Sequence, residues 1–346
     1  MNPHLASTRW GLSVFAYLQQ MITDRFNRIH NYLRISLTDN CNLRCFYCMP
    51  DEEYEFSPAS RLMQPDEIET IAKLFVEHGV KRIRLTGGEP LVRKDAANII
   101  TRLSKLPVDL TLTTNATRVA QHIDILTNAG IKTINVSLDT LNAEKFNLIT
   151  RRDQFRIVTD NIALLQSKNI RVKINCVVMK GLNDDEILDF IAWTKYNPVE
   201  VRFIEFMPFT GNRWTSNKVM TSKEILELVA GTYEVTGVNN DIHDTARKFI
   251  VNGHVGSFAI ISTMSEPFCE GCNRIRLTAD GKLKNCLFSK TETDLLGALR
   301  AGKELEPLIT QNILSKEKEL GGQFNNLFEN LHPEDIENRS MITIGG

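Results

Sequence analysis

The chain has 346 residues, a length at which about two domains are expected. Lys plus Arg number 41 and Asp plus Glu 42, a net charge of −1 with His neutral, which excludes a basic field for a nucleic-acid backbone and a long acidic tail. Hydrophobic residues at 42% and charged residues at 24% are the mix of a soluble globular protein, and no apolar run approaches the roughly 18 residues of a membrane-spanning helix.

Residues 1–23 contain no acid and one firm base, Arg9, around a weakly apolar stretch from Trp10 to Leu18. They lack the charged start and cleavage site of a signal peptide. Residues 1–20 are expected to form a disordered or loosely docked extension, with a cytoplasmic location, and mitochondrial import is the alternative. From Tyr32 onward, β-branched runs alternate with helical patterns. Strands are predicted at Tyr32–Leu37, Arg82–Thr86, Leu110–Thr113, Thr133–Leu138, Val172–Val178 and Val201–Phe206. Helices are predicted at Pro65–Glu77, Gln154–Ser167 and Asp184–Tyr196. Alternation at this spacing implies parallel strands with helices outside them. About six such units make an α/β fold of the incomplete (β/α)6 TIM-barrel type, short of the eight in a closed barrel.

The strands also carry a parity. Leu33, Ile35 and Leu37 oppose Arg34 and Ser36; Ile83 and Leu85 oppose Arg84 and Thr86; Leu110 and Leu112 oppose Thr111 and Thr113. Val136 and Leu138 oppose Asn135 and Ser137, and Val172 and Ile174 oppose Lys173 and Asn175. A filled barrel wants apolar residues on both faces. Polar groups inward make a lined cavity, which fits five strands better than a series of solvated edges.

After Pro208 the alternation breaks into a polar loop at Thr210–Val219. A helix near Thr221–Val229 follows, then strands at Phe249–Val251, Val255–Ile261 and Asn273–Thr278, and helices near Asp294–Ala301 and Glu304–Leu320. The run Lys316-Glu317-Lys318-Glu319 reads as a solvated helix face. A barrel domain over 21–209 and a smaller α+β domain over 210–346, covering the barrel's open side, are expected.

Seven cysteines are too few for a disulfide scaffold, and six fall into two triplets: Cys41, Cys45, Cys48 and Cys269, Cys272, Cys286. Neither triplet pairs internally without an odd thiol, so metal or cluster binding in a reducing compartment is the better reading. Cys176, on the aliphatic face of its strand, reads as core. The first triplet follows the first strand directly, at the end where barrel active sites gather. Three thiolates on a cubane leave one iron open to substrate or cofactor. The alternative is zinc completed by a distant His, with His243 or His254 as the fourth ligand of the second triplet. Arg274 and Arg276 share one strand face after Cys272. With Arg34, Arg84 and Lys173 they suit phosphate oxygens.

Cys41-Asn42-Leu43-Arg44-Cys45-Phe46-Tyr47-Cys48, with an aromatic residue before its third cysteine, resembles the signature of the radical S-adenosylmethionine superfamily. Gly87-Gly88-Glu89-Pro90 resembles that superfamily's methionine-binding loop, although alone it reads equally well as a turn. The two triplets, Arg274-Ile275-Arg276 and the terminal Gly345-Gly346 together resemble the GTP 3′,8-cyclase family of molybdenum cofactor biosynthesis, over about Met21–Gly346 and including Asn183-Asp184-Asp185-Glu186. Ala116 departs from the pattern, since many relatives have Gly there; the change matters only if the turn requires positive φ.

This resemblance implies two 4Fe–4S clusters and S-adenosylmethionine as cofactors, and GTP as substrate. Cys41, Cys45 and Cys48 would hold the first cluster, which chelates S-adenosylmethionine; Tyr47, Gly88, Ser137 and Met207 match positions that contact that cofactor. Cys269, Cys272 and Cys286 would hold the second cluster, whose open iron meets guanine. Arg34, Arg84, Thr113, Lys173, Arg274, Ile275 and Arg276 match nucleotide-binding positions. Arg274 and Arg276 carry an implied catalytic role, as do Gly345 and Gly346, whose tail would reach into the active site. The implied chemistry is abstraction of the ribose 3′ hydrogen by a 5′-deoxyadenosyl radical, then bonding of C3′ to C8. Implied partners are an electron donor of flavodoxin or ferredoxin type, a downstream cyclic pyranopterin monophosphate synthase and a second copy in a homodimer, with no nucleic acid and no membrane. A peptide-modifying radical enzyme and a cluster-based redox sensor are the alternatives.

Overall fold

The computed structural model describes residues 21–51, 53–324, 328–332 and 336–345. The extension over 1–20 and Gly346 lie outside the described residues. Six strands open the chain: β1 Tyr32–Ser36, β2 Arg82–Thr86, β3 Asp109–Thr114, β4 Thr133–Ser137, β5 Arg171–Val178 and β6 Val199–Glu205. Six more follow: β7 Val235–Gly237, β8 Arg247–Val251, β9 Ser257–Ile261, β10 Arg274–Leu277, β11 Lys282–Lys284 and β12 Thr293–Asp294. All join one sheet in the order β12-β11-β10-β1-β2-β3-β4-β5-β6-β9-β8-β7. β10, β1 to β6 and β9 run parallel to one another. The outer strands at both ends are antiparallel. The late strands therefore extend both edges of the early sheet.

The helices explain why one face is aliphatic. Pro65–Glu77 starts with Pro and a capping box between Gln64 and Glu67, and buries Ile68, Ile71, Ala72 and Phe75, the spacing of an amphipathic stripe. Those residues join Leu33, Ile35, Ile83, Leu85, Leu112, Val136, Val172, Ile174 and Cys176 in one continuous core. Burying each large aliphatic side chain contributes about 1.5–3 kcal/mol. Cys176 is thus core, as its parity predicts.

The opposite face is polar in register. Arg276, Arg34, Arg84 and Thr111 are consecutive partners across β10, β1, β2 and β3. Thr113, Asn135, Lys173 and Glu200 follow across β3 to β6, with Ser137, Asn175 and Arg202 two residues further along.

Three helices between the early strands went unread in the sequence: Ala96–Leu103, Val119–Asn128 and Ala143–Thr150. Val119–Asn128 buries only Val119 and Leu126, too thin a stripe for periodicity to reveal. The charge run is corrected in part: Glu317, Lys318 and Glu319 are exposed as expected, but the run is not helical and Lys316 is buried. The helix expected over Glu304–Leu320 is Glu306–Leu314, and Lys316 lies beyond it, buried. Arg28 takes the carbonyls of Glu317 and Lys318 at 2.9 and 2.8 Å, which turns the chain inward where a helix would continue. No helix among the described residues is long and apolar enough to cross a membrane.

Ala116 does occupy a left-handed turn, with φ of 62°. Its amide donates to Thr114 Oγ1 at 3.0 Å and its carbonyl accepts from Asn161 Nδ2 at 2.7 Å. Left-handed backbone costs an L-residue roughly 1–2 kcal/mol, but this methyl is buried in the core, which returns about 0.8 kcal/mol. Ala116→Gly is therefore expected to shift stability by less than about 1 kcal/mol. Ala116→Val, overpacked and β-branched at positive φ, is expected to lose at least about 1–3 kcal/mol. Chemical denaturation checks both; equal midpoints for Val and Ala would contradict the turn's conformation.

Candidate active site

The first cysteine triplet sits in the loop after β1, held from several sides. Cys48 and Met49 amides turn back onto Cys45 O at 2.9 and 2.8 Å, and the amides of Arg44 and Phe46 reach Thr150 O and Ile149 O at 2.9 and 3.1 Å. Gly88 N donates to Thr38 O at 2.7 Å and Glu89 N to Asn40 O at 2.8 Å. A Cβ on Gly88 would lie 2.5 Å from Asn40 O and 2.6 Å from Asp39 O. The two glycines thus let the loop after β2 touch the loop carrying Cys41. Glu89, fully buried, accepts from Leu91 N, Thr114 Oγ1 and Asn115 N at 3.0, 2.8 and 2.6 Å. Asn115 Nδ2 in turn donates to Asn42 Oδ1 at 3.0 Å and approaches Cys41 Sγ at 3.8 Å.

Tyr47 Oη donates to Asp139 Oδ2 at 2.7 Å, and Asp139 Oδ1 accepts from Val177 N at 2.9 Å. Asp139 was not anticipated as a site residue; its signal was its place just past Ser137 at the end of β4. Asn183 Nδ2 bonds Asp139 O at 2.8 Å, and Glu186 accepts from Thr140 Oγ1 at 2.6 Å, so the Asn183–Glu186 segment fixes the loop that carries Asp139.

Electrostatics test whether the first triplet suits a metal cluster. Burial, with Glu89 adding to it, pushes the Cys41 thiol up to about 11. Burial and the neighbouring Cys41 and Asp139 push Cys48 up to about 12, and Cys45 rises for the same reasons. Three close thiols that resist ionisation on their own need a cationic centre to exist as thiolates. All are free of disulfides. Among the described residues no group of three His, Cys, Asp or Glu is gathered around a single ion, whereas a cubane distributes its thiolates over different irons.

The second triplet lies at the other end of β10 and β1, since Cys272 precedes β10 while Cys41 follows β1. Its setting is cationic. Burial opposes ionisation of Cys272, but Arg274 and Lys316 override it and bring the thiol down to about 6. Burial raises Cys269. His243 Nδ1 bonds Gly271 O at 2.9 Å inside the cysteine loop, whereas His254 Nδ1 bonds Thr194 Oγ1 at 2.9 Å.

Between the triplets stand the arginines. Arg34 is half-buried and its Nε, sequestered from solvent, has no hydrogen-bond partner. Burial, then Arg276 and Arg84, holds its guanidinium well below its ordinary value. Arg276 is lowered to about 10 by burial and Arg274. Arg84 donates to Tyr32 Oη and, at 3.4 Å, to Thr113 Oγ1. Arg274 stacks over Phe268 at 5.1 Å. Lys173 bonds Glu200 at 3.0 Å, and Arg202 bonds the same carboxylate at 2.5 Å. Ile275 faces the aliphatic core, so only its main chain is available to a ligand. Ser137 and Met207 are half-buried, and Met207 O accepts from Asn212 Nδ2 at 2.7 Å.

The tail enters this space. Arg339 grips Asp280 bidentately at 2.9 and 3.0 Å and Glu292 at 2.5 Å, and Asn338 Nδ2 holds Leu287 O at 3.0 Å. The helix Met341–Ile344 follows, with Ile342 and Ile344 buried. Gly345 then lies where a Cβ would meet Ser36 Cβ and Thr86 Oγ1, each at 2.8 Å, with φ of 84°. Its carbonyl accepts from Arg276 Nη1 at 3.4 Å.

Residues 35–194 match the Radical SAM superfamily and residues 199–321 match Molybdenum Cofactor Synthesis C. The chain is 40% identical to GTP 3′,8-cyclase of Peptoclostridium acidaminophilum over 333 residues, 95% of this chain and 99% of that one. The chain belongs to the GTP 3′,8-cyclase family. It is also 43% identical to the mitochondrial GTP 3′,8-cyclase of Arabidopsis thaliana, covering 95% of this chain and 84% of the relative. Against human Molybdenum cofactor biosynthesis protein 1 the identity is 44% over 93% of this chain. The chain spans about half the length of such curated relatives, 51% in the human case. Among solved structures, Streptococcus suis SuiB bound to S-adenosylmethionine shares the fold, with a TM-score of 0.57 at 18% identity over 92% of this chain and 75% of that one.

Two outcomes follow from the geometry. Gly88→Ala is expected to lower stability by about 1–3 kcal/mol and to reduce the iron retained after anaerobic reconstitution; unchanged iron and Tm would show that the loops part freely. Burial, then Arg202, brings Lys173 down to about 8 against the opposing Glu200. Below that pH it is already charged; above it, an anion must draw a proton back. Affinity for inorganic triphosphate, used as a polyanion probe, is therefore expected to fall as pH rises through about 8 if it pairs with Lys173, with proton uptake visible at pH ~8.5 by calorimetry in two buffers, and Lys173→Met is expected to abolish the uptake.

Proposed function

We propose that this chain converts GTP to 3′,8-cyclo-7,8-dihydro-GTP, the first step of molybdenum cofactor biosynthesis. The observation that carries the reading is the array of Arg34, Arg84, Arg274 and Arg276, with Lys173, set between two cysteine triplets at opposite ends of β1. Cations desolvated and repelling one another in this way favour a polyanion over a neutral substrate. A triphosphate supplies several oxygens for guanidinium forks, and a nucleoside bridges toward both triplets.

Cys41, Cys45 and Cys48 would hold a first 4Fe–4S cluster, and Cys269, Cys272 and Cys286 a second. Bound there, a reduced first cluster would supply the single electron that lets S-adenosylmethionine yield the radical that removes the ribose 3′ hydrogen. The chain's own work is placement. Tyr47, fixed by Asp139, together with Gly88, Ser137 and Met207, would seat S-adenosylmethionine over the first triplet. Arg34, Arg84, Thr113, Lys173 and the Arg274–Arg276 segment would hold GTP across the polar face. Gly345, packed against Ser36 and Thr86, would wall the site beside the bound substrate, and its carbonyl accepts from Arg276.

The test is anaerobic. The reconstituted chain, given S-adenosylmethionine, dithionite and GTP, is expected to release 5′-deoxyadenosine and a nucleotide of GTP's own mass but different retention. Arg274→Ala is expected to lower cyclised product roughly 10- to 150-fold, the loss of about 1.5–3 kcal/mol of charge-assisted hydrogen bonding, while cofactor cleavage falls less. Cleavage that leaves GTP unchanged would overturn the substrate, and no cleavage by a fully loaded, reducible chain would overturn the radical chemistry.

A further inference from the structure

Lys316 is 2% exposed, and a buried ammonium is strongly unfavourable unless a negative charge offsets it. Its polar contacts are Cys272 Sγ at 3.4 Å and Arg274 O at 3.1 Å. A carbonyl neutralises no charge, so the countercharge must lie on the sulfur side. Asp24, the carboxylate that with Lys316 acts on His30, is engaged elsewhere. It accepts from Arg28 Nε at 2.6 Å, pairs with His30 Nε2 at 3.1 Å, and takes the amides of Phe26 and Arg28 at 2.9 and 3.0 Å.

The placement is built. Arg28 Nη1 donates to Cys269 O at 2.9 Å and to Lys318 O at 2.8 Å, and its Nη2 to Glu317 O at 2.9 Å. One guanidinium thus ties the cysteine loop to the loop that carries Lys316. Asn273 Nδ2 bonds Asn31 Oδ1 at 2.8 Å and closes the frame from β1. Among the described residues no cation hydrogen-bonds to a sulfur of the first triplet: Asn115 Nδ2 stands 3.8 Å from Cys41 Sγ, Arg44 reaches the Cys41 carbonyl and not its sulfur, and Glu89 and Asp139 raise the thiols.

We propose that Lys316 is a positioning and tuning residue of the second triplet, its ammonium hydrogen-bonded to the Cys272 sulfur so that a 4Fe–4S cluster held there is easier to reduce than its cysteines alone would make it. The inference rests on the reading that Cys269, Cys272 and Cys286 hold a cluster. Hydrogen bonds and charge at the ligand sulfurs are among the levers that set cluster potentials. A cation stabilises the reduced state, which carries one more negative charge, more than the oxidised state. A cluster at the second triplet is thereby raised in potential by a sulfur-bonded charge that the first triplet does not receive.

The experiment uses the full chain carrying Cys41→Ala, Cys45→Ala and Cys48→Ala, which leaves the second triplet alone. It is reconstituted anaerobically, its iron is counted, and its reduction is followed by electron paramagnetic resonance at fixed potentials. Lys316→Met in this background is expected to lower the reduced-to-oxidised ratio at a given potential at least tenfold, a 59 mV fall for a one-electron couple. Lys316→Arg is expected to restore most of the ratio. If the Met variant does not fold or load, Lys316→Gln, which keeps an N–H donor without the charge, is expected to shift the ratio in the same direction. An unchanged ratio in either loaded neutral variant overturns the proposal. Absence of iron in the parent background overturns the second-cluster reading instead.

Discussion

Mutual repulsion among cations on the inner face of one sheet organises this protein. Arg276, Arg34 and Arg84 are neighbours in register on three adjacent strands, too close and too sheltered to be at ease without an anion. Each is carried there by an alternation whose other half, the aliphatic residues, is locked into the helical layer. The strands cannot slip by one residue to relieve the strain, since that would turn Leu33, Ile35, Ile83 and Leu85 out of the core. Core packing thus holds this face in an unfavourable charge state that a bound polyanion would relieve.

The two cysteine triplets divide along the same axis. The first, beside Glu89 and Asp139, resists ionisation; in the second, Arg274 and Lys316 make Cys272 ionise readily, while burial still raises Cys269. Similar cysteine triplets placed at opposite ends of β1 therefore have different electrostatic surroundings. Position relative to the arginine array, more than cysteine spacing, separates the two.

Much of this was legible in the sequence because a period of two is a strong local signal. The six early strands and their inward residues Arg34, Arg84, Thr113 and Lys173 followed from alternation, and the cysteine triplets from spacing. What escaped notice was tertiary. Asp139 matters through Tyr47, 92 residues away, and Lys316 through Cys272, 44 residues away. Nothing local marks either. A lysine in an alternating charge run reads as surface because most such lysines are; here Arg28 diverts the backbone and reverses the assignment. Ala116 was the converse case, where one departure from the pattern raised the question of a positive φ and the structure answers it with 62°.

The register of β1 has a consequence for how the chain is made. β1 lies between β2 and β10, and its second neighbour begins about 240 residues later in the chain. At 5–20 residues per second that strand emerges roughly 10–50 s after β1 has left the ribosome. During that interval one edge of β1 presents unpaired amides and carbonyls beside the Cys41 loop, the kind of edge that recruits other strands. The cysteines that come first in the sequence are thus born into an unfinished sheet, and maturation of the site is timed by the arrival of β10.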